Sequence, residues 1–168
     1  MAFPGRLLGW LRRWRGGDSA TGAADGEPGG TDRERTGVWG EAIAAQALEA
    51  DGYRVLGRRV RIGRDEIDLV ATSATTRQLV FVEVKTRASD AFGGGRAAVD
   101  RRKRHAQCRA AARYLRRMPQ TPFRFDVVEV VGRRDDPSPP RVRHFTNAFP
   151  MERRYLHASL HRIARPEP

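Results

Sequence analysis

Between Gly37 and Phe149 the spacing of apolar positions switches from helical to alternating and back, and those switches lay out the elements. Val38, Ala42 and Ala45, flanked by Trp39, Ile43 and Ala50, predict a helix with one broad apolar side. Asp51-Gly52 closes it, with Gly52 as a left-handed cap. Tyr53 to Ile62 contains an extended run, and Glu66-Ile67-Asp68-Leu69-Val70 alternates as a strand does. A polar turn over Thr72 to Gln78 leads into the β-branched strand Leu79 to Thr86. Beyond a loop containing Gly93 to Gly95, Ala97 to Met118 predicts a long helix ended by Pro119. Its expected buried side is Val99, Ala106, Ala110, Tyr114 and Met118, and Arg102, Arg109, Arg113 and Arg116 form a cationic stripe on another. Phe123 to Val131 returns to strand, with Arg141 to Phe145 as an optional partner across the Arg133 to Pro140 turn. The order is α-β-β-β-α-β, an α/β fold without internal repeats.

The ends lack this periodicity. Residues 16–36 are dense in Gly and small polar groups and predict a disordered linker. Before it, Leu7, Trp10, Leu11 and Trp14 stand at helical spacing among Arg6, Arg12, Arg13 and Arg15, a frayed tail or a surface-touching segment. The division is a flexible basic and Gly-rich tail over 1–36, a folded domain over 37–150 and a C-terminal tail over 151–168.

Composition narrows the classes. No stretch approaches the roughly 18 apolar residues of a membrane span, and Arg12 and Arg13 interrupt any signal-peptide core. One cysteine, Cys108, excludes an internal disulfide and fits a reducing cytoplasm. Cys108 reads as a buried or semi-buried spacer, His105 as a phosphate-side or surface histidine, and His144, His157 and His161 lack the spacing of zinc ligands. Net charge is +12, and nine of those excess charges fall within 37–150, so the folded part attracts polyanions. Thirty of the 32 basic residues are Arg, a bias that base composition also produces.

Candidate chemistry lies on the two middle strands. Paired as a hairpin turning between Thr75 and Thr76, they set Asp68 opposite Glu83 and Glu66 opposite Lys85. Glu83 and Lys85 share one face, and Val80, Val82 and Val84 point to the other. Carboxylates opposed at about 5 Å repel, and a divalent cation held by Asp68 and Glu83 would reconcile them. Mg²⁺ is the expected ion, with Mn²⁺ as a substitute, activating water for phosphodiester hydrolysis. Lys85 would orient that water, neutralise charge on the phosphate or, deprotonated, act as base. The chain writes lysine only at Lys85 and Lys103, so the amine at 85 is not a generic positive charge. Glu41 on the first helix is a further ligand or water contact, or else a solvated glutamate. The competing reading is a plain sheet surface with Glu83–Lys85 and Glu66–Lys85 as ordinary ion pairs.

These residues resemble the YraN-like family of small bacterial proteins, itself similar to archaeal Holliday-junction resolvases in the restriction-endonuclease-like superfamily. The likeness runs through Gly40-Glu41 with Ala44 and Leu48, Gly52-Tyr53, Glu66 to Val70, and Phe81-Val82-Glu83-Val84-Lys85-Thr86-Arg87. It continues through Ala98-Val99 with Lys103, Tyr114-Leu115, Arg124 to Val128 and Asn147-Ala148-Phe149. It implies a restriction-endonuclease-like αβββαβ core, a mixed sheet flanked by helices, with the superfamily's D…E-x-K pattern on Asp68, Glu83 and Lys85 and its helix acid on Glu41. A Mg²⁺-dependent endonuclease acting on DNA, branched or otherwise structured DNA included, is the implied function. Arg87, Arg102, Lys103, Arg109 and Arg113 are the candidate backbone contacts, and a homodimer is the assembly known for related folds. A nucleic-acid-binding scaffold that keeps the fold without cleaving is the alternative. Two positions depart from the family's pattern: Asp65 stands where a glycine is usual, and Arg59 where an asparagine is usual.

Overall fold

The structure, a computed structural model, describes residues 31–89, 100–118 and 121–160, without the side chains of 157–160. Helix α1 (Asp32–Ala50) precedes strands β1 (Tyr53–Ile62), β2 (Asp65–Ser73) and β3 (Leu79–Arg87). Helix α2 (Arg101–Leu115), strands β4 (Phe123–Val131) and β5 (Arg141–Phe149) and helix α3 (Arg153–Leu160) follow. The strands form one sheet in chain order, antiparallel throughout except for the parallel pair β3–β4. A parallel neighbour requires a crossover, and α2 lies within it. The architecture is the expected α/β core with a mixed, helix-flanked sheet, and the optional last strand is present and runs on to Phe149.

Each face of the sheet has its own core. Leu69, Ala71, Val80, Val82, Val128 and Val130 face Ala44, Ala45 and Leu48 of α1. Ile67, Val70, Leu79, Phe81, Phe125 and Val127 face Cys108, Ala110, Ala111, Tyr114 and Leu115 of α2. The second core is aromatic: Phe125 stacks on Phe149 at 4.8 Å between centroids, and Phe81 meets Tyr114 edge-on at 5.5 Å. Phe81 is fully buried, and a side chain of that size contributes roughly 1.5–3 kcal/mol on burial.

Several boundaries move. Helix α1 begins at Asp32, inside the stretch the pattern assigned to linker, because Thr31 and Glu34 form a capping box. Thr31 N donates to Glu34 Oε2 at 2.8 Å, and Glu34 N donates to Thr31 Oγ1 at 3.3 Å. That polar first turn carries no apolar periodicity. The buried side is Gly40, Ala44, Ala45 and Leu48, whereas Val38 is 44% exposed, so the expected stripe was rotated. In so alanine-rich a helix several sides look apolar, and packing chooses among them.

Gly40 shows what does the choosing. A Cβ there would overlap Thr86 Oγ1, so the missing side chain lets α1 rest directly on the end of β3. Helix α2 starts at Arg101, with the Asp100 side chain accepting from Arg102 N at 3.4 Å. The stretch 151–168, read as tail, opens with α3, whose Tyr155 packs against the α2-side core with Met151. The Trp-containing start, most of the linker, the Gly93 to Gly95 loop, Val99 and His161 lie outside the described residues. Among the described residues no helix is long and apolar enough to cross a membrane.

Candidate functional site

Strands β2 and β3 pair in the expected register, from Thr72↔Leu79 to Leu69↔Val82, and there the ladder stops. The next position on β2 is Asp68. Its Oδ2 accepts from Val84 N at 2.7 Å, so the side chain takes up a β3 backbone donor where the strands part. Glu83, on the α2 side of β3, is 2% exposed and Asp68 8% exposed. Lys85 donates from Nζ to Glu83 Oε1 at 2.9 Å. Glu66 does not meet Lys85. It pairs with Arg61 across β1–β2, and its carboxylate takes Arg61 Nε at 3.0 Å and Arg59 Nε at 3.4 Å.

Helix α2 brings two more side chains to the same carboxylates. Gln107 Nε2 donates to Glu83 Oε2 at 2.6 Å, and Lys103 Nζ lies 3.3 Å from that oxygen and 3.9 Å from Asp68 Oδ1. Lys103 and Gln107 are one helical turn apart and therefore project from one side of α2. Lys103, assigned from the sequence to the nucleic-acid contacts, thus sits inside the acidic cluster, and both lysines of the chain converge on Glu83. The scarcity of lysine was a signal for Lys103 as well as Lys85. Gln107 had no such signal. It is 1% exposed and its Oε1 has no hydrogen-bond partner.

Burial and the neighbouring charge of Glu83 push the Asp68 carboxyl up to about 7, against the pull of Lys103 and Val84 N. Burial raises Glu41 also, with Arg59 opposing and Glu66 assisting. Lys103 is raised: burial works to lower it, but Asp68 and Glu83 outweigh that. Glu41 belongs to this electrostatic neighbourhood through its effect on Asp68, and its nearest ion partner is Arg59 at 3.9 Å. Among the described residues no three His, Cys, Asp or Glu side chains converge closely enough to hold a metal ion by themselves. The donor set fits Mg²⁺ nonetheless: Asp68 Oδ1 and Glu83 Oε2 are hard oxygens turned to one place. Such an ion commonly rests on one or two carboxylates and completes its shell with water and phosphate.

Asp65 has partners of its own on α2. It is 7% exposed and receives Arg109 through two hydrogen bonds, 2.7 Å from Nε and 2.6 Å from Nη2, with Arg113 Nη1 at 4.0 Å. The Arg109 hydrogen bonds hold its carboxyl below the ordinary range, although burial opposes them. The turn before it places Gly63, not Asp65, at positive φ. Arg109, a candidate backbone contact, is thus engaged in an internal ion pair, and Arg113 leans toward the same carboxylate and Ile62 O. Arg102 is exposed, and Arg87 is half-exposed with Nε 3.2 Å from Glu129. Arg59 adopts φ 48, a conformation that asparagine takes more readily than arginine.

The remaining candidates are structural. His105 bridges Glu152 at 3.0 Å and the Tyr155 hydroxyl at 3.2 Å, joining α2 to the α3 region. His144 Nε2 meets the fully buried Asp126 at 2.9 Å, together with Arg124 and Asn147 N. Cys108 is buried, as expected.

Residues 40–130 match the family described as Uncharacterised protein family UPF0102. The chain belongs to that family. It is the YraN-like family whose likeness the motifs carried. A UPF0102 protein of Symbiobacterium thermophilum is 43% identical over 120 residues, 68% of this chain and 96% of that one. One from Rhodopirellula baltica is 42% identical over 112 residues, 66% and 67% of the two chains. One from Moorella thermoacetica is 47% identical over 100 residues, 58% of this UPF0102 chain and 82% of its relative.

Proposed function

We propose that this UPF0102 chain is a metal-dependent endonuclease that hydrolyses phosphodiester bonds in DNA, branched or structured DNA included. The observation that carries the reading is the meeting of Asp68, Glu83 and Lys85 where β2 and β3 part, with both carboxylates buried and an amine 2.9 Å from one of them. A divalent cation resting on Asp68 and Glu83 would supply Lewis-acid polarisation of a phosphoryl oxygen and a water acidic enough to ionise near neutral pH. Val84 N fixes the direction of Asp68, and Gln107 with Lys85 fixes that of Glu83. The Lys85 ammonium would neutralise charge that develops on a phosphate bound at the carboxylates. A homodimer would supply the two sites that symmetric cutting of a four-way substrate needs.

A second reading has an observation of its own. The Lys103 ammonium already lies between the two carboxylates, as it would in a scaffold that binds nucleic acid without turnover. A cleavage panel separates the two. Purified protein with linear, nicked, flapped and four-way DNA and Mg²⁺ or Mn²⁺ should cut at least one substrate. Asp68→Asn and Lys85→Ala should each lower the rate a hundredfold or more, in line with the loss of one preorganised charged group. Binding by the wild type without cutting would select the scaffold, and cutting that survives both substitutions would trace to a contaminant.

A further inference from the structure

Each acidic side chain of the pair has one oxygen tied to β3 and one turned to α2. Asp68 Oδ2 takes Val84 N and Glu83 Oε1 takes Lys85 Nζ, while Asp68 Oδ1 and Glu83 Oε2 both face Lys103 Nζ. We propose that Lys103 is the site's internal counter-cation, holding the place between Asp68 Oδ1 and Glu83 Oε2 that a divalent ion takes, so that ion entry and Lys103 departure are one exchange. The inference rests on the metal-dependent reading above and names the residue that regulates access to that site.

The charges require such a group. Two carboxylates with little access to water are costly unless paired, and Lys85 serves only one oxygen of one of them. When both carboxylates are ionised, Lys103 brings the sum over the four side chains to zero. An ammonium can play this part and give it up, being a compact charge on a flexible stem, where a guanidinium would bind both oxygens in a planar fork. The side chain is 42% exposed and has solvent to turn into, whereas Gln107, one turn along, is buried and keeps Glu83 oriented throughout. A divalent ion and an ammonium cannot share the spot, since like charges a few ångströms apart repel strongly even at intermediate dielectric.

Calorimetric titration with Mg²⁺ and with Mn²⁺ at fixed ionic strength tests the exchange on the full chain. Lys103→Met, which keeps the stem and removes the charge, should bind the ion at least tenfold more tightly than the wild type. Equal or weaker binding by Lys103→Met would overturn the proposal, because Lys103 would then be a bystander or a helper. A second measurement needs no folded variant: with only two lysines, the ε-methylene carbons of lysine-labelled wild type give two resonances. Mg²⁺ should move the Lys103 resonance to the position of a solvated lysine, saturating at the calorimetric Kd. A Lys103 resonance that stays put while the ion binds would also overturn it. Failure of both proteins to take up either ion would remove the metal-dependent reading together with this one, an outcome distinct from binding without exchange.

Discussion

Asp68 is the residue at which fold and chemistry pull in opposite directions. Burial and Glu83 raise its carboxyl to about 7, far above the roughly 3.9 of an unfolded chain. A raised acid means that the folded state binds more protons than the unfolded state between those values. Stability should therefore fall as pH rises from about 4 to about 7, by on the order of 2–4 kcal/mol from this group. Asp68→Asn keeps an oxygen for Val84 N and removes the charge. Urea melts at pH 5 and pH 8 should show the variant less sensitive to pH than the wild type and more stable at pH 8. An equal pH dependence in both proteins would mean that Asp68 stays ionised across this range, its charge met by Lys103 alone. A two-residue period and one turn position fix the β2–β3 register as far as Leu69 and Val82, and beyond that the strands part, so the rule that set Asp68 near Glu83 missed Glu66, which turns to Arg61. The Asp65–Arg109 ion pair was not legible in the sequence, because it depends on how α2 lies over the hairpin, and nothing local encodes that.

At the scale of elements, the decisive contact is α1 on β3. Gly40 lies against Thr86, one residue from Lys85 on β3, and it carries Glu41 beside it. Gly40→Ala would raise helix propensity, yet the new Cβ collides with a side chain on a central strand. We expect a net loss of about 1–3 kcal/mol in urea denaturation, and recovery of at least half in Gly40→Ala/Thr86→Ala, as coupled neighbours show. A stable single variant would place α1 farther from the sheet. The mis-set start of this helix has the same lesson in reverse. Thr31-Asp32-Arg33-Glu34 is a capping box, a signal written in polar residues, and an apolar template passes over it. Helix α2 was placed well and its facing only partly. Ala110 and Tyr114 are buried as expected, but its polar members Lys103 and Gln107 turn to Glu83 because that carboxylate needs donors.

At the scale of the whole molecule, a net charge of +12 says that polyanions are attracted but not which groups do the attracting. The stripe Arg102, Arg109, Arg113 and Arg116 looked continuous along the helix, and the fold divides it. Arg102 and Arg116 are exposed, while Arg109 gives one edge of its guanidinium, Nε and Nη2, to a buried carboxylate. An arginine so engaged can approach a phosphate only by stranding Asp65, which costs more than a surface contact returns. The two classes should therefore fail differently. Arg102→Ala should leave the melting temperature unchanged and reduce the slope of log affinity for duplex or branched DNA against log salt by about one, the signature of one lost phosphate contact. Arg109→Ala should lower the melting temperature by several degrees and leave the slope alone, since its charge was spent inside the fold. Reversal of that pattern, with Arg109 altering the slope and Arg102 the stability, would mean that nucleic acid reorganises the Asp65 ion pair on binding. The basic face would then be assembled by its ligand instead of being fixed beforehand by the packing of α2 on β2.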